Sequence, residues 1–146
     1  MHFREARPDD RLAMTVIYHR CVAEADWMSE AMKARADFDR DTEGERLFVV
    51  ECGGEVLGFV SVWEPDSFIH LLFVQPESRG CGVGSLLLDQ LQTHVPPPWR
   101  LKCTAANEHA RQFYLSRGWN PVEIGGESAE EKYWLMEWTG VMSGSA

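Results

Sequence analysis

Phe68-Ile-His-Leu-Leu-Phe-Val74 runs directly into Gln75-Pro-Glu-Ser-Arg-Gly-Cys-Gly-Val-Gly-Ser-Leu-Leu-Leu-Asp-Gln-Leu91. The first run is apolar and rich in β-branched and aromatic residues, which predicts a strand. Beyond the glycines, apolar residues at 83, 87, 88, 91 and 95 make one stripe of a helix. Gly80, Gly82 and Gly84 alternate between the two. Residues without a Cβ let backbone approach a ligand closely and point several N–H groups one way, and a helix opening there adds the positive end of its dipole. That describes an anion site suited to a pyrophosphate. It equally describes a tight strand-to-helix corner, and on the glycines alone both readings stand.

Working outward, Leu47 to Trp63 holds two strand-like runs joined at Gly53-Gly54, the two-residue signature of a hairpin. Before it, Asp9-Asp10 caps a run in which Leu12, Val16, Ile17, Cys21 and Ala25 recur at helical spacing, and Ser29 caps a second helix expected to reach Phe38. After the leucine-rich helix, Pro96-Pro97-Pro98 stops the chain, because proline lacks a donor and clashes with the preceding turn. A strand over 101–105, a helix over 107–117 closed by Gly118, and strands over 119–124 and 132–138 follow. The order β-α-α-β-β-β-α-β-α-β-β describes one mixed α/β domain over residues 1–140, with Gly- and Ser-rich residues 141–146 expected to form a disordered tail.

The whole chain has 146 residues, 45% of them hydrophobic, enough for one sizeable core. Cys21, Cys52, Cys81 and Cys103 form no Cys-x-x-Cys pair and lie at no zinc-ligand spacing from the histidines, so no metal site is expected and reduced thiols in a cytoplasm are. No apolar run reaches membrane-spanning length, and the N-terminus lacks a signal-peptide layout. A net charge of −9 argues against nucleic acid as a partner, which needs clustered Lys and Arg.

Two nucleotide loops fail by letter. A Walker loop ends Gly-Lys-Ser/Thr, and here Ser85 follows Gly84 directly; a dinucleotide loop begun at Gly80 needs glycine at position 85. What remains is Leu72-Phe73-Val74-Gln75-Pro76 followed by Arg79-Gly80-Cys81-Gly82-Val83-Gly84 and a leucine-rich helix. Downstream comes Asn107-Glu-His-Ala-Arg-Gln-Phe-Tyr-Leu-Ser-Arg-Gly-Trp119. In these two segments the sequence resembles the GNAT superfamily of acyl-CoA-dependent N-acyltransferases, whose motifs are Leu-x-Val-x-Pro with Gln/Arg-x-x-Gly-x-Gly/Ala, and Asn-x-x-Ala-x-x-Phe-Tyr-x-x-x-Gly-Phe. The departure in the second motif is Trp119 for its last Phe. The resemblance spans nearly the whole chain.

It implies a mixed, mostly antiparallel sheet with splayed central strands, flanked by about four helices. It also implies acetyl-CoA, or another acyl-CoA, as co-substrate, with the pyrophosphate held by the backbone N–H groups of Arg79, Gly80, Cys81, Gly82, Val83, Gly84 and Ser85. Leu72, Phe73 and Val74 would contact the pantetheine arm, and the amide near Leu72 would polarise the thioester. Tyr114 falls on the family's general acid, although an aromatic beside Phe113 on a helix also reads as packing. Asn107 falls on a coenzyme-contacting asparagine and also reads as a helix N-cap.

For the base, His70 stands two residues before Leu72, and strand alternation puts it on the face of Leu72 and Val74. Its position resembles that of a catalytic histidine in the arylalkylamine branch, whereas many members carry a glutamate where this chain has Phe68; a structural histidine is the other reading. Glu64 is the alternative base, acting through water. By resemblance the acceptor pocket draws on Asp26, Trp27, Met28 and Trp134, aromatics and carboxylates that suit an amine with an apolar part; Trp27 also reads as helix packing. Cys81 is assigned no catalysis. The expected enzyme moves an acetyl group to a primary amine of a small molecule or a peptide or protein, and the resemblance allows a homodimer. A non-catalytic acyl-CoA-binding module is the alternative.

Overall fold

In a computed structural model, which describes residues 1–140, strand β1 (His2–Glu5) is followed by helices α1 (Arg11–Glu24), α2 (Glu30–Ala34) and α3 (Phe38–Asp41). Strands β2 (Arg46–Cys52), β3 (Glu55–Trp63) and β4 (Phe68–Val74) lead to α4 (Val83–Leu91), β5 (Trp99–Thr104), α5 (Glu108–Ser116), β6 (Asn120–Gly125) and β7 (Tyr133–Trp138). The tail expected over 141–146 lies outside the described residues. All seven strands join one sheet in the order β1-β2-β3-β4-β5-β7-β6, antiparallel throughout except for the β4–β5 pair.

The sheet separates two cores. Alternation along β2 and β3 sends Phe48, Val50, Val60 and Val62 under α4 and α5, where Val83, Leu87, Leu88, Leu91 and Tyr114 meet them. Val49, Val56 and Phe59 go the other way, under Met14, Ile17, Tyr18 and Cys21 of α1 and Phe38 of α3. Gly58 permits the close approach of α4, since a Cβ there would lie 2.9 Å from both the Phe73 carbonyl oxygen and Val83 Cγ1.

The expected elements are present with one difference among the helices, which number five among the described residues. The run from Ser29 to Phe38 is broken: Ser29 caps α2 by accepting the Met32 N–H, but the Asp37 side chain accepts the Arg40 N–H and starts α3 afresh. Asp10 does not cap α1 with its side chain. Its carboxylate is held instead by Arg4, at 2.7 and 3.0 Å, and by the Arg7 N–H at 2.7 Å.

Candidate active site

Strands β4 and β5 touch only at their beginnings, where Phe68 pairs with Arg100 and Ile69 with Leu101. From there they part. The Gln75 N–H bonds the Leu57 carbonyl, and Val74, Phe73 and Leu72 stand opposite Gly58, Phe59 and Val60. In an antiparallel ladder alternate residues bond the partner strand. The peptide groups of Phe73 and Gln75 therefore face β3, while those of Leu72 and Val74 face the opening toward β5. The Val74 carbonyl is met there by the Cys21 thiol at 3.3 Å. The Phe73 side chain packs edge-on against Tyr18, with ring centroids 5.5 Å apart, and is part of the α1 core.

His70 is not on the face predicted for it. The register slips between Ser61–Leu71 and Val62–Ile69, so His70 is the extra residue of a β-bulge and alternation fails across it. Ile69, Leu72 and Val74 pack toward α4 and α5, whereas Leu71 and Phe73 pack toward α1. His70 goes with the second set and reaches Glu45, whose Oε2 lies 2.8 Å from Nδ1. Ser61, fully buried, accepts the Leu71 N–H through its hydroxyl at 3.1 Å and so satisfies the donor that the bulge displaces.

At the far end of β4 the glycine loop leaves donors free. The N–H groups of Arg79 and Cys81 bond the Pro76 and Ser78 carbonyls, which removes these two from the set expected to bind an anion. Those of Gly80, Gly82, Val83, Gly84 and Ser85 have no hydrogen-bond partner among the described residues. Gly80 and Gly82 sit at φ 80° and 85°, a left-handed conformation that suits glycine, and Gly82 caps α4. Unpaired donors in the loop and on the first turn of the helix suit an anion. The Arg79 guanidinium lies 3.3 Å from Glu24 and 3.6 Å from the Cys21 sulfur, so the loop is also braced against α1.

Across the opening, the Asn107 side chain accepts the Ala110 N–H as the N-cap of α5. Tyr114 is buried, with its ring edge-on to Phe113 and Trp119, each at 5.4 Å between centroids. Burial, aided by the Cys103 thiol nearby, pushes its phenol well above the ordinary tyrosine value, so the hydroxyl keeps its proton. Trp27 is half-buried between α1 and α2, and Met28 packs on the α1 core. Trp134 belongs to the opposite core, under α4 and α5. Glu64 precedes β4 at the end away from the glycine loop and is held by Arg46 at 2.7 Å.

The sequence profile of the Acetyltransferase (GNAT) family matches residues 12–119. The chain belongs to this family. An uncharacterized N-acetyltransferase of Archaeoglobus fulgidus is 35% identical over 104 residues, which cover 62% of this chain and 69% of that one. The fold is that of a GCN5-related N-acetyltransferase from Rhodopseudomonas palustris, with TM-score 0.79, 22% identity and 94% of each chain covered. It is likewise that of yncA from Salmonella typhimurium, a structure holding its cofactor acetyl-CoA, with TM-score 0.70, 18% identity and 94% and 92% covered.

As a GNAT acetyltransferase, the chain is an acetyl-CoA-dependent acyltransferase acting on an amine. The cradle fits the coenzyme, because free amides at the start of α4 suit a pyrophosphate and the inward peptide groups of Leu72 and Val74 suit the amide-bearing pantetheine arm. The sequence reading missed Glu45, which no local pattern marks, and Ser61, an ordinary serine until the bulge places it opposite Leu71. A carboxylate in the turn Thr42-Glu43-Gly44-Glu45, entering β2 two places along the sheet from the strand that carries His70, is the nearest thing to a signal.

Proposed function

We propose that this chain transfers the acetyl group of acetyl-CoA to a primary amine of a small molecule or peptide, with His70 as base and Tyr114 as acid. The observation that carries the reading is the five free N–H groups of the glycine loop and the first turn of α4, which follow the strand β4 that parts from β5. The coenzyme supplies an activated thioester. Gly80, Gly82, Val83, Gly84 and Ser85 hold its pyrophosphate, Asn107 adds a contact from α5, and the Leu72 N–H is the donor offered to the thioester carbonyl. His70 Nε2 takes the proton leaving the amine nitrogen as the N–C bond forms. Tyr114 gives its phenolic proton to the sulfur as the C–S bond breaks, and exchange with water resets both groups.

The acceptor enters from the α1 side. There Trp27 offers an aromatic wall, and α2 and the late hairpin approach each other through Arg35 and Glu131 at 3.8 Å. Glu64, engaged with Arg46, is the lesser candidate for contact with the amine. The reading takes residues 1–140 as one cytoplasmic domain, in keeping with the four free thiols. It also takes β6 as the pairing edge of a homodimer: this edge strand leaves Val122 and Ile124 each 49% exposed.

The test is a panel of polyamines, aryl amines, amino acids, aminoglycosides and peptides with free N-termini, incubated with acetyl-CoA and read by thiol release and mass spectrometry. Acetylation of one class at the amine supports the reading. Coenzyme binding with no acetylated product, and no change on Tyr114→Phe, would make the chain an acyl-CoA-binding module instead.

A further inference from the structure

Glu45 combines burial with an unmet valence. Its side chain is 8% exposed, against 40% for His70, and its Oε1 is buried with no hydrogen-bond partner among the described residues. A buried carboxylate with an idle oxygen costs desolvation that an apolar residue would avoid. No arginine offsets it: the adjacent Arg46 turns to Glu5 and Glu64, and Arg40 turns to Asp41. Among the described residues, the one group that hydrogen-bonds the Glu45 carboxylate is the imidazole, at 2.8 Å through Nδ1.

We infer that Glu45 is a positioning residue for the acetyl transfer, holding the His70 proton on Nδ1 so that Nε2 presents its lone pair to the amine. This rests on the reading of His70 as the base. A free neutral imidazole carries its proton on either nitrogen, and an ionised carboxylate only accepts, so a partner at Nδ1 fixes the tautomer and the ring plane together. Once Nε2 has taken a proton from the amine, the same carboxylate faces the imidazolium and stabilises it. The charged groups facing His70 are Glu45, from the turn before β2, and Asp41, from α3. The Asp41 carboxylate is already engaged by the Tyr18 hydroxyl at 2.6 Å and the Asp37 N–H at 3.2 Å, and the Asp41 main-chain carbonyl is the weakest of the contacts to His70, which leaves Glu45 as the close partner. Together they hold the imidazole above its ordinary value, with the Glu45 hydrogen bond the largest cause and burial opposing.

The experiment uses the full chain labelled with nitrogen-15, its His70 ring nitrogens followed by NMR through a pH titration. In parallel, kcat/KM against pH is measured with acetyl-CoA and the best amine of the panel above. The native protein is expected to show the Nδ1-protonated tautomer and a midpoint above the usual imidazole value of about 6.5. In Glu45→Gln the midpoint falls back toward that value, the tautomer preference is lost and the acid limb of kcat/KM moves to lower pH. Plateau kcat drops roughly 10- to 100-fold while KM for acetyl-CoA holds, because an amide can turn its NH₂ to Nδ1 and favour the wrong tautomer. Glu45→Asp, which keeps a carboxylate on a shorter stem, recovers part of the loss and provides the same comparison if Glu45→Gln does not fold. A native Nδ1 that carries a lone pair overturns the inference. So does a loss of kcat in His70→Gln without any change of limb, tautomer or kcat in Glu45→Gln. Unchanged kcat in His70→Gln removes the base reading and the inference together.

Discussion

Tyr114→Phe deletes one oxygen and keeps the ring that packs against Phe113 and Trp119. If the phenol donates the proton to sulfur, kcat falls by about 10²- to 10⁴-fold, the range for a positioned general acid, while coenzyme affinity and melting temperature stay near native. Equal rates of thiol release in the two proteins would return Tyr114 to the status of a packed aromatic. Ser61→Ala separates structure from chemistry in the opposite direction. Ser61 is fully buried and accepts the Leu71 N–H through its hydroxyl, so its loss leaves that part-buried donor without its partner and costs about 1–3 kcal/mol in urea unfolding. Because that bond sits at the bulge, the same substitution should disturb the His70–Glu45 contact, visible as a shifted His70 titration. His70 also links stability to pH. Its folded value is raised, so the pair contributes fully below the unfolded value of about 6.5 and the contribution is lost as pH rises through the folded one.

The junction of β4 and α4 is where elements become a site. Gly82→Ala adds a Cβ with no atom within 4 Å, but at φ 85° it costs about 1–2 kcal/mol of backbone energy. The N-cap geometry that aims the free amides then relaxes, and acetyl-CoA affinity should fall by more than the melting temperature suggests. Equal affinity in isothermal titration would reduce the loop to a corner. Much of this element was readable in advance, because alternation in β2 and β3, the Gly53-Gly54 turn, the stripe on α4 and the glycine run are local patterns with local causes. The break between α2 and α3 was not, since it depends on Asp37 choosing a cap over helix continuation. The face of His70 was not either. It is set by a register slip between two strands and stabilised by a serine on the other one, and period-2 alternation has no way to encode that. Glu45 reaches the imidazole only because β2, β3 and β4 are neighbours, a fact of topology and not of spacing along the chain.

At the scale of the molecule, the proposed acceptor face is built on α1, and α1 is anchored to the outer edge of the sheet through a charged cluster. Arg4 on β1 grips Asp10 at 2.7 and 3.0 Å and Glu51 on β2 at 2.8 Å, with Arg4 and Asp10 side chains only 16% and 9% exposed. The Arg4 hydrogen bonds, helped by the Arg7 N–H, hold the Asp10 carboxyl below its ordinary value, with burial opposing. The sign follows from linkage. The folded chain releases the Asp10 proton at lower pH than the unfolded chain, so the stability contributed is complete above the unfolded value of about 3.9 and is lost as pH falls through the folded one. Acid should therefore loosen the β1–α1 corner while the α4 cradle, built from backbone amides, keeps its donors. Asp10→Asn removes the titration. Its melting temperature is expected to lie below native at neutral pH and to fall less steeply on acidification, so that the two curves converge in acid. Coenzyme affinity at neutral pH, assigned by the proposed reading to the other side of the sheet and the far end of β4, should match native. Parallel melting curves across the whole acid range would show that Asp10 does not titrate in the folded state as its hydrogen bonds require.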